Sequence, residues 1–219
     1  MRVLALDAAL GRCSAALLDD GVVVAHEAVA GARGQPAVLA PMVARVLASS
    51  GLAASALDGI AVTVGPGSFA GLRASIALAQ GLGLAAGCPV VGVQVGEALA
   101  EAVVLRAGWE LWVAIDSRRN RIFLDRDGVV EAMALADLPR PPGPVAIAGD
   151  AALEVASRLA ARGSAVMLCD ARLPDAVAVA RVGARQLAGM LPPLSAQPLY
   201  VDPPEAKLPA GGLRPPPLG

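Results

Sequence analysis

A chain of 219 residues is long enough for one large domain or two small ones, and to bury a core without disulfides or metal. Its residues are 56% hydrophobic but only 2% aromatic, so the interior is built from Val, Leu and Ala and favours close backbone approach. A net charge of −1 excludes a stand-alone grip on nucleic acid through bulk positive charge, and Cys13, Cys88 and Cys169 lie too far apart for a C-x-x-C zinc or redox pair.

The start, Met1 to Asp7, runs into a strand ending in an acid and lacks the regions of a signal peptide, so a cytoplasmic protein is expected. Three strands are predicted at Val3–Ala8, Cys13–Leu18 and Val22–Val29, with Asp19-Asp20-Gly21 as a hairpin turn. A helix follows from about Pro36 to Ser50, with Leu39, Met42, Val43, Val46 and Leu47 at helical spacing on its apolar face. Next come a strand at Gly59–Val64, a helix from Phe69 to Ala86, a strand at Val90–Val93 and a helix at Gly96–Leu105. The pattern then restarts. Leu111–Asp116, Arg121–Leu124 and Val129–Leu135 read as strands, with Asp127-Gly128 as the second hairpin turn. Val145–Ala148 and Ala165–Cys169 are predicted strands, Ala151–Ala161 and Asp175–Met190 predicted helices, and Pro139–Pro144 a stiff loop. From Gly211 to Gly219 Gly and Pro dominate, and a disordered tail is expected.

Asp7 and Asp20-Gly21 thus recur as Asp116 and Asp127-Gly128, which divides the chain into two β-β-β-α-β-α lobes. The expected units are an N-terminal lobe over 1–107, a C-terminal lobe over 108–200 and a tail over 201–219. The fold class is α/β: two similar lobes of the actin, Hsp70 and sugar kinase-like (ribonuclease H-like) fold, each a mixed sheet with flanking helices. In that layout ATP sits between the lobes, but layout alone does not assign chemistry.

The helix from Phe69 carries one charge, Arg73, and has almost no polar face. Arg73, Gln80 and its many Gly and Ala residues make it a poor membrane span. Ala70, Ala74, Ala77, Gly81 and Ala85 form a stripe of small residues, while Leu72, Ile76, Ala79 and Gly83 lie on other faces. One neighbour cannot cover both sides, which points to a helix from another protein. Gly65-Pro66-Gly67-Ser68 ahead of it reads as a tight turn with Ser68 as helix cap, or as an anion cradle. The P-loop spacing and its Lys are missing. Asp7 stands where an actin-like ATPase holds Mg²⁺ and phosphate, yet Ala8 and Ala9 crowd the approach, and a hairpin role bonding nearby N–H groups serves equally. The single histidine, His26, excludes H-x-x-x-H metal motifs and leaves a Ser-His-Asp triad nothing to recommend it. Asp116, Arg118, Arg119 and Arg121 read as a solvated hairpin, or as a contact for RNA phosphate or a partner's acids.

The segments VLALDAALGRCSAALLDDG (3–21), LAPMV (39–43), VGPGSFAGLRASIALAQGLGLA (64–85), IDSRRNRIF (115–123) and PLYVDPPEAKLP (198–209) together resemble the TsaB (YeaZ) family, glycoprotease-like proteins of tRNA threonylcarbamoyladenosine biosynthesis. The resemblance implies a two-lobed fold without a catalytic site of its own. It implies a non-catalytic pairing subunit that works with a TsaD-like transferase subunit and a TsaE-like ATPase, forms a homodimer when alone, and meets tRNA only through the complex. It also implies no bound cofactor on the isolated chain, with ATP or ADP and Mg²⁺ confined to the partner complex. The first two helices pair in this family, which maps here onto Leu39, Met42, Val43 and Val46, and onto Phe69, Ala70, Arg73, Ala74, Ala77 and Gly81. Family members often carry Thr after the first acid, where this chain has Ala8. The alternatives are an ATP-dependent phosphotransferase of the same fold, with Asp7 as a nucleotide contact, or a peptidase, for which the histidines are missing.

Overall fold

The computed structural model describes residues 1–31 and 35–201. The expected disorder at the C-terminus, and most of the 201–219 tail, lie outside the described residues. The first lobe opens with β1 (Arg2–Asp7), β2 (Arg12–Asp19) and β3 (Val22–Ala30), followed by α1 (Gln35–Ser50), β4 (Gly59–Gly65), α2 (Phe69–Ala86), β5 (Val90–Gln94) and α3 (Val95–Glu101). The second sheet is built from β6 (Glu110–Asp116), β7 (Ile122–Arg126), β8 (Val129–Met133), β9 (Val145–Ala148) and β10 (Val166–Leu168), with α4 (Ala152–Ala161) between the last two. The chain then forms α5 (Ala176–Leu187) and β11 (Leu194–Ser195).

The sheets run β11-β5-β4-β1-β2-β3 and β10-β9-β6-β7-β8. Leaving out β11, the second order repeats the first. The directions repeat too: β1–β2 and β2–β3 are antiparallel, β1–β4 and β4–β5 parallel, and the same holds for β6 through β10. The β2–β3 and β7–β8 hairpins both turn through an Asp-Gly pair at positive φ, Asp20 (47°) with Gly21 (81°) and Asp127 (58°) with Gly128 (81°). That pair of angles matches the right-handed twist of the flanking strands, which is why Asp-Gly marks such turns.

Central strands are covered on both faces. In β1, Leu4 and Leu6 enter one core while Val3 and Ala5 enter another. In β6, Val113 and Ile115 join the first core, and Trp112 and Ala114 face α4 with Val155 and Leu159. The period of two thus ties the sheets through one shared core.

Two expectations are corrected. No counterpart of α1 stands between β8 and β9. A short 3-10 turn, Leu135–Asp137, takes that place, because Pro139, Pro141, Pro142 and Pro144 remove the donors a helix needs. The last helix and strand belong to the first lobe rather than to a 108–200 unit. Ala176, Val179, Ala180 and Val182 of α5 pack with Val3, Ala5, Ala61 and Val91, and β11 pairs with β5. The first sheet has α1 and α2 on one face only, and a buried sheet needs a layer on the other. Gly183 brings α5 so close that a Cβ there would collide with that of Ala61.

Candidate functional site

The Gly65–Ser68 turn is a structural hinge between β4 and α2. Gly65 has φ 120°, the Gly65–Pro66 bond is cis, and Gly67 lies so close to the Ala9 carbonyl that no side chain fits. The Ser68 N–H donates to that same carbonyl at 2.7 Å, and the Ser68 hydroxyl accepts from the Gly71 N–H at 3.3 Å. The donors that an anion cradle requires at Ser68 and Gly71 are therefore occupied, and the turn reading accounts for the segment.

Asp7 sits at the end of β1, fully buried together with Ala8 and Ala9. Its Oδ1 accepts from the Thr63 hydroxyl at 2.7 Å and from the Ala9 N–H at 3.1 Å, and its Oδ2 has no hydrogen-bond partner. Burial pushes the carboxyl up to about 7, against the pull of those two donors and of Arg12. A nucleotide phosphate or Mg²⁺ needs an open acid with small neighbours, and here the Ala8 and Ala9 side chains and the Gly67 turn close the approach. The residues present do not fit Mg-nucleotide at this position. Thr63, absent from the sequence prediction, carries the interaction instead; nothing in local spacing pairs residues 7 and 63, which meet only because β1 and β4 are neighbours.

The helix α2 divides cleanly. Gly71, Leu72, Ser75, Ile76, Ala79 and Gly83 face the core, and Gly83 lets Val90 in closely. On the outer side Phe69, Ala70, Arg73, Ala77 and Gly81 are exposed and Ala74 is half-buried. Leu84, unforeseen from the stripe, is 87% exposed, and Phe69 62%. Among the described residues α2 is the one helix long and apolar enough by composition to cross a bilayer.

α1 requires a correction. Leu39, Met42, Val43 and Val46 are buried in the protein's own core, because the helical spacing that makes an apolar stripe also turns that stripe onto β2 and β3. The residues α1 exposes include Val38, Ala40, Pro41, Ala44 and Ala48, on a helix that packs beside α2. Together the outer faces of α1 and α2 form a nearly uncharged surface whose cations are Arg45 and Arg73. Arg45 is neutralised by bidentate bonds to Glu27 of β3.

The segment after α5 returns along this surface. Gln80 donates to the Ala196 carbonyl at 2.8 Å, the Leu199 N–H donates to the Val64 carbonyl at 2.8 Å, and Arg73 donates to the Tyr200 hydroxyl. Elsewhere, His26 meets Asp175 at 3.0 Å, so its pairing is with the N-cap of α5. Asp116, Arg118, Arg121 and Asp150 line an open cleft of about 1180 Å³ in the second lobe, where Arg118 pairs with both acids. Opposite charges balance there rather than building a basic patch. Among the described residues no group of three His, Cys, Asp or Glu side chains comes together to hold a metal.

The family described as TsaD, tRNA N6-adenosine threonylcarbamoyltransferase, matches residues 31–160. The tRNA threonylcarbamoyladenosine biosynthesis protein TsaB of Escherichia coli is 37% identical over 124 residues, which cover 56% of this chain and 53% of that one. A Pseudomonas aeruginosa structure described as similar to peptidase YeaZ superposes with a TM-score of 0.77 at 27% identity, over 92% of this chain and 99% of the other. The chain belongs to the TsaB/YeaZ family. Its sequence match spans about half the length of the curated TsaB relatives. The (R)-2-hydroxyglutaryl-CoA dehydratase component A of Acidaminococcus fermentans, at 10% identity and a TM-score of 0.51 over 86% of this chain and 99% of the other, shares the fold alone.

Proposed function

We propose that this chain is a non-catalytic partner subunit in tRNA threonylcarbamoyladenosine biosynthesis, docking a TsaD-like transferase subunit through the outer faces of α1 and α2. The observation that carries the proposal is the surface itself: Leu84 and Phe69 stand out from α2, which with α1 beside it lacks acids and is lined by Ala, Gly and Pro. Small residues let a partner helix approach closely, and large exposed anchors mark contact sites. A lipid surface suits α2 less well, because Gln80 and Arg73 are held by hydrogen bonds to the returning segment. The absence of a fitting phosphate site around Asp7 supports a role in which the chemistry, with any ATP and Mg²⁺, resides on the partner and a TsaE-like ATPase. On this proposal the chain acts in the cytoplasm, meets tRNA through the assembly, and pairs with itself when the partner is missing.

The test is size-exclusion chromatography with light scattering of this chain mixed with the TsaD-like protein of its own organism. A 1:1 complex is expected, and Gly81→Glu, whose neighbours one turn away on α2 are Ala77 and Ala85, is expected to abolish it by placing an unpaired charge in a dry contact, at a cost of several kcal/mol. A complex that forms equally well with Gly81→Glu refutes the proposed surface. Turnover of Mg-ATP by the isolated chain refutes the non-catalytic role and restores the phosphotransferase alternative.

A further inference from the structure

Arg73 is presented in a way that a small-residue stripe alone does not explain. Its guanidinium carbon lies 3.8 Å from the centre of the Phe69 ring, and its Nε and Nη2 donate to the Tyr200 hydroxyl at 3.2 and 2.9 Å. Stacking and a shared acceptor fix the plane of the group and, among the described residues, leave the Nη1 donors unengaged. Among the described residues no carboxylate pairs with it, in contrast to Arg45, which Glu27 neutralises. The α2 N-terminus, one turn away, adds positive potential of the same sign. Tyr200 is itself 56% exposed, so the Phe69–Arg73–Tyr200 group stands at the open edge of the face.

The charge inventory of the face identifies what covers it. Neither α1 nor α2 contains an acidic residue. A second copy of this chain laid face to face would bring another Arg73 and no carboxylate from either helix. Covering Arg73 in that way strips its water without supplying a counter-charge, which is costly. A different protein whose helix carries Asp or Glu opposite Arg73 supplies a charge-assisted, bidentate bond in the same place. Building on the docking face proposed above, we infer that Arg73, held by Phe69 and Tyr200, is the anchor for a carboxylate on a heterologous partner helix. It thereby selects that partner over a second copy of the chain. Tyr200 acts as a positioning residue for the guanidinium.

The experiment measures two affinities by sedimentation across a salt series: this chain with the TsaD-like protein, and this chain with itself. Arg73→Met keeps an unbranched stem against Phe69 and removes the charge. It is expected to weaken the mixed complex about ten- to hundredfold and to flatten its salt dependence, while self-association stays level or tightens. Tyr200→Phe keeps the charge but frees its orientation. It is expected to weaken the mixed complex by a smaller factor and to retain the salt dependence. Matching circular dichroism and melting curves confirm that both variants fold. If Arg73→Met leaves the mixed complex unchanged, or weakens both associations equally, the carboxylate anchor is overturned although the docking face stands. If the unaltered chain shows no mixed complex at all, the docking face and the anchor fall together.

Discussion

Substituting Asp7 by Asn tests the interior electrostatics directly. The carboxyl is fully buried, with two donors on Oδ1 and none on Oδ2, and burial raises it from 3.8 to about 7. That displacement corresponds to about 4 kcal/mol between its two protonation states. The sign follows from proton counting. Below about pH 4 folded and unfolded chains both hold the proton, whereas between about pH 4 and pH 7 only the folded chain does. Stability therefore falls as pH rises through that window and levels off above it, with about 3 kcal/mol of the loss lying between pH 5 and pH 8. The carboxamide of Asp7→Asn cannot ionise, keeps an acceptor for Thr63 and Ala9, and removes this dependence. Urea unfolding of both proteins at half-unit steps from pH 5 to pH 8 measures the difference, in which contributions common to both proteins cancel. The stability of the Asp7→Asn variant relative to the unaltered chain is expected to rise by about 3 kcal/mol between pH 5 and pH 8. Parallel pH profiles would show that Asp7 is ionised throughout, and the account of its burial would be wrong.

The remaining predictions concern packing and caps. Gly67→Ala drives a methyl into the Ala9 carbonyl and is expected to destabilise by about 1–3 kcal/mol, read as a lowered melting temperature, with α2 losing hydrogen-exchange protection at its start. Gly183→Ala pushes α5 off Ala61, with a similar cost of about 1–3 kcal/mol in chemical unfolding and no effect on the docking face. Asp175→Ala removes the cap that accepts from the Val177 N–H, along with the acid that pairs with Arg12 and His26. A loss of about 1–2 kcal/mol is expected, and a variant as stable as the unaltered chain would show that the cap contributes nothing.

The elements were largely legible because their signals are local. Asp-Gly turns, the short apolar runs of β1 and β6, and the Ser68 cap each depend on neighbours a few residues apart. The duplication was legible because both hairpins repeat the same turn residues. What escaped was non-local. The sequence of α5 shows an apolar stripe but not which sheet it covers, and only the unclothed face of the first sheet decides that. The outward residues of α1 were missed for a related reason. A stripe of Leu39, Met42, Val43 and Val46 is the strongest signal in that helix, and a strong stripe marks what the protein buries for itself. Tyr200 and Thr63 carry no local mark at all, since each matters only through a residue far away in the chain.

The missing helix between β8 and β9 has a consequence for assembly. A faithfully duplicated molecule would bear a helix-pair surface on each lobe, and two such surfaces would let subunits join end to end without limit. With prolines and a short turn in place of the second α1, the second lobe carries no matching helix pair among the described residues. On the proposed docking mode each subunit therefore offers one helix-pair face, which one neighbour fills. Growth beyond a closed pair would have to come from the neighbour.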